Sequence, residues 1–93
     1  MIHEVVIAAA AQKDLRKVPQ PVRRKLAIWV GAVREEGLEN VRKIPGYHDE
    51  PLNGKRKGQR SIRLSHAYRA IYVIRADAQV EFVQIEEVNK HDY

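Results

Sequence analysis

From Arg60 onward the apolar residues recur at every second position, a period that a β-sheet satisfies and a helix does not. Ile62 and Leu64 alternate with Ser61, Arg63 and Ser65. After a reversal at Ser65-His66-Ala67, Arg69, Ile71 and Val73 fall on one face of a second strand. Tyr68, Ala70, Tyr72 and Ile74 fall on the other. Asp77-Ala78 marks the next turn, without the glycine that would strengthen it. A last strand, Val80 to Val88, is expected to bury Phe82, Val83 and Ile85, leaving Asn89 to Tyr93 as a short polar tail.

A sheet of this length needs something to cover it, and the N-terminal half supplies helices. Val5-Val6-Ile7 reads as a first strand ending near Ala8, with a first helix over Gln12 to Val18 that Pro19 interrupts. Pro21 suits the opening of a second helix, where its missing N–H costs nothing. Val22, Leu26, Trp29, Val30 and Val33 then recur at helical spacing, and Gly37 stops the run. Trp29 shares that stripe with aliphatic residues, so it is expected in the core; an exposed indole stacking on a base is the alternative. Leu38 to Ile44 adds a short helix that Pro45-Gly46 ends. Tyr47 to Gly58 reads as a long loop with its strongest turn at Pro51-Leu52-Asn53-Gly54. The order is β-α-α-β-β-β. It predicts one α+β domain over residues 1–93, with an antiparallel C-terminal sheet packed against the N-terminal helices.

Charge separates this frame into regions. The 93-residue chain carries 17 Lys/Arg against 12 Asp/Glu, a formal +5. Lys13 to Lys25 holds six basic residues and one acidic residue, and Lys55 to Arg63 holds five and none. The stretch from Asp77 onward is acidic except for Lys90. A basic domain favours a polyanion, and the hairpin region, with Lys55, Arg56, Lys57, Arg60, Arg63 and Arg69, is the expected phosphate-binding surface. No apolar run is long enough to cross a bilayer, no basic segment precedes Ile2–Ala11, and there is no cysteine. A cytoplasmic protein with no membrane partner is expected.

Metal, nucleotide and serine-hydrolase chemistry find little support. His3, His48, His66 and His91 form no compact zinc spacing, and Gly54 and Gly58 lack the strand–loop–helix context of a phosphate loop. No metal and no cofactor are expected. RNA cleavage by its own 2′-hydroxyl would need only a base, an acid and cations around the phosphorane. Arg69 and the proton carriers His66, His91 and Tyr93, with Asp92 beside them, are the candidates, and His48 is a further candidate for support. The plainer readings are a hydrated Lys55-Arg56-Lys57 loop, a structural pair for Arg69, a turn role for His66 and a frayed end at Tyr93.

The order PLNG-x3-G-x-RSIRL-x3-YR-x2-Y, followed by a strand and KHDY, resembles the RelE/ParE superfamily, nearest its HigB-like and RelE-like branches. The resemblance implies a type II toxin, a ribosome-dependent messenger-RNA endonuclease that works without metal. It implies three partners: a cognate antitoxin, the 70S ribosome and mRNA. Arg60 and Arg63 match the basic strand positions around the scissile phosphate, and Arg69 matches the arginine that steadies its charge. Lys55 and Lys57 would add ribosome or substrate contacts, and His91, Asp92 and Tyr93 fall where acid–base groups are kept. The chain departs from the HigB-like pattern at Glu50, where that branch has histidine before Pro-Leu, and in the order of its last three residues. The alternatives are a ParE-like inhibitor of gyrase and a non-catalytic RNA- or ribosome-binding member.

Overall fold

The chain alternates in β4 and β5 as the period requires, and a single β-bulge decides which side chains reach the core. The computed structural model describes residues 1–90. Its elements are β1 (Glu4–Ile7), α1 (Ala9–Leu15), α2 (Gln20–Glu36), α3 (Leu38–Val41), β2 (Glu50–Pro51), β3 (Arg60–Arg63), β4 (Tyr68–Asp77) and β5 (Val80–Lys90). Short 3₁₀ turns occupy Pro45–Tyr47 and Gly54–Arg56. The five strands form one sheet in the order β1-β5-β4-β3-β2. β1 runs parallel to β5, and the other pairings are antiparallel. The α+β arrangement, with the N-terminal helices against one face of a largely antiparallel sheet, is the one expected.

Several local expectations shift, and the short helix expected over Leu38 to Ile44 ends at Val41. The first helix begins earlier, at Ala9, and ends at Leu15, because the Ala8–Ala11 run has the strongest helical propensity available. The expected loop over 47–58 contains β2 and a 3₁₀ turn, with Pro51 on the sheet edge, where its missing N–H faces no partner. The strand expected to end at Val88 continues to Lys90, so Asn89 and Lys90 are not tail.

The core lies between the sheet and α2. Val22, Leu26, Trp29, Val30 and Val33 are all buried, as the stripe predicts. Trp29 is 0% exposed and meets Tyr72 with ring centroids 5.3 Å apart. Its indole N–H has no hydrogen-bond partner among the described residues, so packing alone holds it there. Gly37 ends α2 with φ 87, and its N–H bonds to Val33 O at 2.8 Å. A Cβ there would stand 2.7 Å from Met1 Sδ. Leu38 N–H then bonds to Ile2 O at 2.8 Å, which ties the end of α2 to the start of β1.

On β5, Ile85 faces Tyr72 while Glu87 faces Ile71, so Glu86 is the extra residue of the bulge. Val83 and Ile85 are buried, whereas Phe82 is only half-buried because it has the opposite parity and faces away from the helices. β1 leaves β5 after Ile85, and beyond that point the Asp14 carboxylate of α1 accepts the Val88 N–H at 3.0 Å. Gln12 donates to Ile7 O at 2.9 Å and Arg34 to Val5 O at 3.5 Å, occupying carbonyls of the β1 edge. Among the described residues no helix is long and apolar enough to cross a membrane.

Replacing Trp29 with alanine is expected to lower unfolding free energy by about 3–5 kcal/mol, through lost burial and the cavity left under Tyr72. Urea denaturation checks this; a loss below about 1 kcal/mol would mean the site collapses around the missing indole.

Candidate active site

The site is built on the face of the sheet away from the helices. In an antiparallel pair, residues in register share a face, and successive residues alternate between faces. Glu50 is in register with Ser61, Ser61 with Ile71, and Ile71 with Glu87. Two residues along, on the same face, Arg63 is in register with Arg69 and Arg69 with Asn89. These two rows form the outer face. The adjacent inner row is Pro51, Arg60 and Tyr72.

A cavity of about 120 Å³ is lined by His48, Glu50, Ser61, Ile62, Arg63, Tyr68 and Arg69, so that residues of both parities contribute to it. Its volume is well below that of a pocket for a whole small molecule, and suits one charged group of a larger ligand. Arg63 and Arg69 lie directly opposite one another across β3 and β4. Like charges in that position repel, and an anion placed between them would relieve that repulsion. Arg69 Nε donates to Asn89 Oδ1 at 3.4 Å, Asn89 donates to Glu87, and Arg56 reaches the same Glu87 carboxylate at 3.1 Å. That chain of contacts orients Arg69 and folds the Gly54–Arg56 turn over the outer face, where Ile71 is fully buried. Arg63 is exposed and forms no ion pair among the described residues.

Arg60 has a different surrounding. Its Nε donates to Asp49 Oδ1 at 2.6 Å, and the Tyr72 hydroxyl donates to Asp49 Oδ2. The Asp49 side chain is 1% exposed and that of Arg60 24%. Burial alone would lower the Arg60 guanidinium, but the hydrogen bond and charge of Asp49 outweigh it and hold the group above its ordinary value. Burial first, and the Asp49 carboxylate second, push the Tyr72 phenol well above the usual tyrosine range. Arg60 was expected beside the phosphate. Instead its Nε is committed to a buried partner, because it has the parity of Ile62 and Leu64 rather than that of Arg63.

The remaining expected residues are distributed around this centre. Lys55 and Lys57 are exposed, in and just after the Gly54–Arg56 turn. His66 is exposed in the β3–β4 turn, where Ser65 Oγ accepts the Ala67 and Tyr68 N–H groups, and it does not line the cavity. His48 does line it. His91, Asp92 and Tyr93 lie outside the described residues. Glu50 and Ser61 were not singled out as site residues. The one signal for Glu50 is its place immediately before the Pro-Leu of the motif.

No family sequence model matches this chain, and no curated protein sequence matches it significantly. Solved structures do match. The chain is similar to the crystal structure of YafQ from Escherichia coli strain BL21(DE3), with a TM-score of 0.71 and 17% identity over 95% of this chain and 92% of that one. It is similar to the toxin–antitoxin complex RelBE2 from Mycobacterium tuberculosis, with a TM-score of 0.61 and 26% identity over 98% and 100%. A YoeB/ParE toxin from Agrobacterium tumefaciens matches at 0.58 and 18% identity over 96% and 99%. The chain has the RelE/ParE-like toxin fold. Within that RelE/ParE-like fold, the cavity holds two arginines, a carboxylate and an imidazole contributed by β2, β3, β4 and the turn before β2.

The buried phenol gives a measurable signature. Because its folded value lies above the ordinary 10.0 of an unfolded tyrosine, its contribution to stability is complete below about pH 10 and is lost as pH rises through the folded value. Alkaline titration of phenolate absorbance should therefore contain a late component that coincides with unfolding and is missing from Tyr72→Phe. A Tyr72 signal ionising near the ordinary tyrosine value would contradict the buried Asp49 contact.

Proposed function

We propose that this protein is the toxin of a toxin–antitoxin pair and that it cuts messenger RNA on the ribosome. The observation that carries this reading is the convergence of Arg63, Arg69, Glu50 and His48 on one phosphate-sized cavity. The toxin–antitoxin complexes among the similar structures support it.

The chemistry follows from what a phosphodiester of RNA needs. Arg63 and Arg69 hold the non-bridging oxygens of the scissile phosphate and stabilise the charge that grows on the phosphorane. Glu50 takes the proton from the 2′-hydroxyl, whose oxygen forms a bond to phosphorus as the bond to the 5′-oxygen breaks. That leaving oxygen takes a proton from an imidazole, which His48 supplies from the cavity wall. The resemblance implies His91 as general base or acid, with Tyr93 as its partner or as a stack for a base, and His48→Gln against His91→Gln separates the two proton carriers. The products are a 2′,3′-cyclic phosphate and a free 5′-hydroxyl, and no covalent enzyme intermediate forms. Lys55 and Lys57, exposed beside this face, contact the ribosome or the message backbone. The cognate antitoxin covers the cationic surface with an acidic or amphipathic segment.

Purified protein incubated with translating ribosomes and an end-labelled message tests the reading. Wild-type protein should create new message ends that depend on ribosomes. Arg69→Ala and Glu50→Gln should each slow cleavage by about 10²–10³-fold, the size of losing one group aimed at the transition state. Their thermal melting should stay close to that of wild type. Cleavage by Arg69→Ala at the wild-type rate would remove the phosphate role.

A further inference from the structure

The residues that line the cavity from the β2 side have almost nothing of their own to hold them. β2 is two residues long and makes two register pairs with β3, Glu50 with Ser61 and Pro51 with Arg60. The turn before it ends on His48 in the left-handed region, φ 48, an uncommon conformation for a residue with a side chain. What surrounds His48 is a strict alternation in burial. Tyr47 is buried in the core, His48 is exposed, the Asp49 side chain is 1% exposed, and Glu50 is exposed. Two inward anchors therefore carry two outward side chains, and both outward side chains line the cavity.

Asp49 is the more specific of the two anchors. Its two carboxylate oxygens are each taken by a different strand, Oδ1 by Arg60 of β3 and Oδ2 by the Tyr72 hydroxyl of β4. Tyr72 is itself packed on Trp29 of α2. A carboxylate fixed at both oxygens has little freedom to rotate, and the backbone on either side of it is fixed with it.

We propose that Asp49 is a positioning residue: clamped from the core side by Arg60 and Tyr72, it sets the placement of His48 and Glu50 over Arg63 and Arg69. Asp49 touches no substrate. It acts through its two neighbours in sequence, and Arg60 serves the site by holding Asp49. The consequence for cleavage rests on the nuclease reading above, whereas the clamp itself is a property of the free protein and is measured without substrate.

The experiment compares wild type with Asp49→Ala, Asp49→Asn and Tyr72→Phe, and with Val33→Ala, which weakens the core at an α2 residue that does not line the cavity. The first readout is hydrogen exchange at the Leu52 amide, which donates to Gln59 O at 2.9 Å and closes the β2–β3 ladder. The second is message cleavage on ribosomes, with the rate at saturating ribosomes separated from the concentration giving half that rate. Asp49→Ala should speed Leu52 exchange more than it speeds exchange in β5, and should lower the saturating rate about 100-fold with little change in half-saturation, as expected for a misplaced reacting group. Asp49→Asn keeps a polar partner for Arg60 and Tyr72 and should recover much of both losses. Tyr72→Phe should show a smaller loss of the same kind. Val33→Ala should lower melting without selective exchange at Leu52 and without a fall in rate at temperatures where it is folded.

Two results overturn the proposal. One is an Asp49→Ala protein whose Leu52 exchange rises only in step with its global stability. The other is selective loosening at Leu52 with an unchanged saturating rate. If wild type leaves every message intact, the nuclease reading fails instead, and the exchange comparison alone decides whether Asp49 holds the segment from His48 to Pro51.

Discussion

Tyr72 is the joint on which the layers of this protein meet. Its ring packs at a tilt against Trp29 of α2, with centroids 5.3 Å apart, and its hydroxyl donates to the buried carboxylate of Asp49. The first contact holds the helical layer to the sheet. The second extends that hold to the sheet's far edge, where β2 alone would be too short to persist. Asp49 needs both its partners: a carboxylate at 1% exposure left without a cation would cost about 3–5 kcal/mol. Packing, ion pair and site geometry are thus linked through one phenol.

The outer face has the opposite character. There the sheet sets Arg63 against Arg69, a like-charge pairing that costs stability. The inner face surrounds its cation with a carboxylate and a phenol, and the outer face leaves two cations open beside Glu50 and His48. This asymmetry supports the proposed phosphate surface: charge is neutralised where the fold must hold and left unneutralised where a phosphate would bind. The acidic residues of β5 are part of the same division. Glu87 takes Arg56 and Glu86 takes Arg75, so the acids of β5 secure flanking arginines while Arg63 stays open.

Much of the fold was legible because its signals were periodic. The α2 stripe from Val22 to Val33, the stop at Gly37 and the alternation through β3 and β4 all follow from side-chain spacing alone. The same parity, applied one step further, separates Arg60 from Arg63. Three residues apart on a strand, they must face opposite sides, and Arg60 shares its side with Ile62 and Leu64. Proximity in sequence grouped them as one basic patch, which is why Arg60 was expected at the phosphate. Parity also turns Phe82 away from Val83 and Ile85. Asp49 and Glu50 were harder to read: β2 is too short to declare a period, and the partner that makes Asp49 structural lies 23 residues away at Tyr72. The bulge at Glu86 left no turn residue or glycine to mark it, and only the register of β5 against β4 reveals it.

The central claim is that the cavity between Arg63 and Arg69 directs attack by the message's own 2′-hydroxyl, and the chemistry of the cut ends tests it most directly. Messages recovered from ribosomes exposed to the protein would be analysed for the groups on both sides of the break. A 2′,3′-cyclic phosphate upstream and a 5′-hydroxyl downstream are the predicted result. A 3′-hydroxyl with a 5′-phosphate, or a message that stays whole, would contradict it.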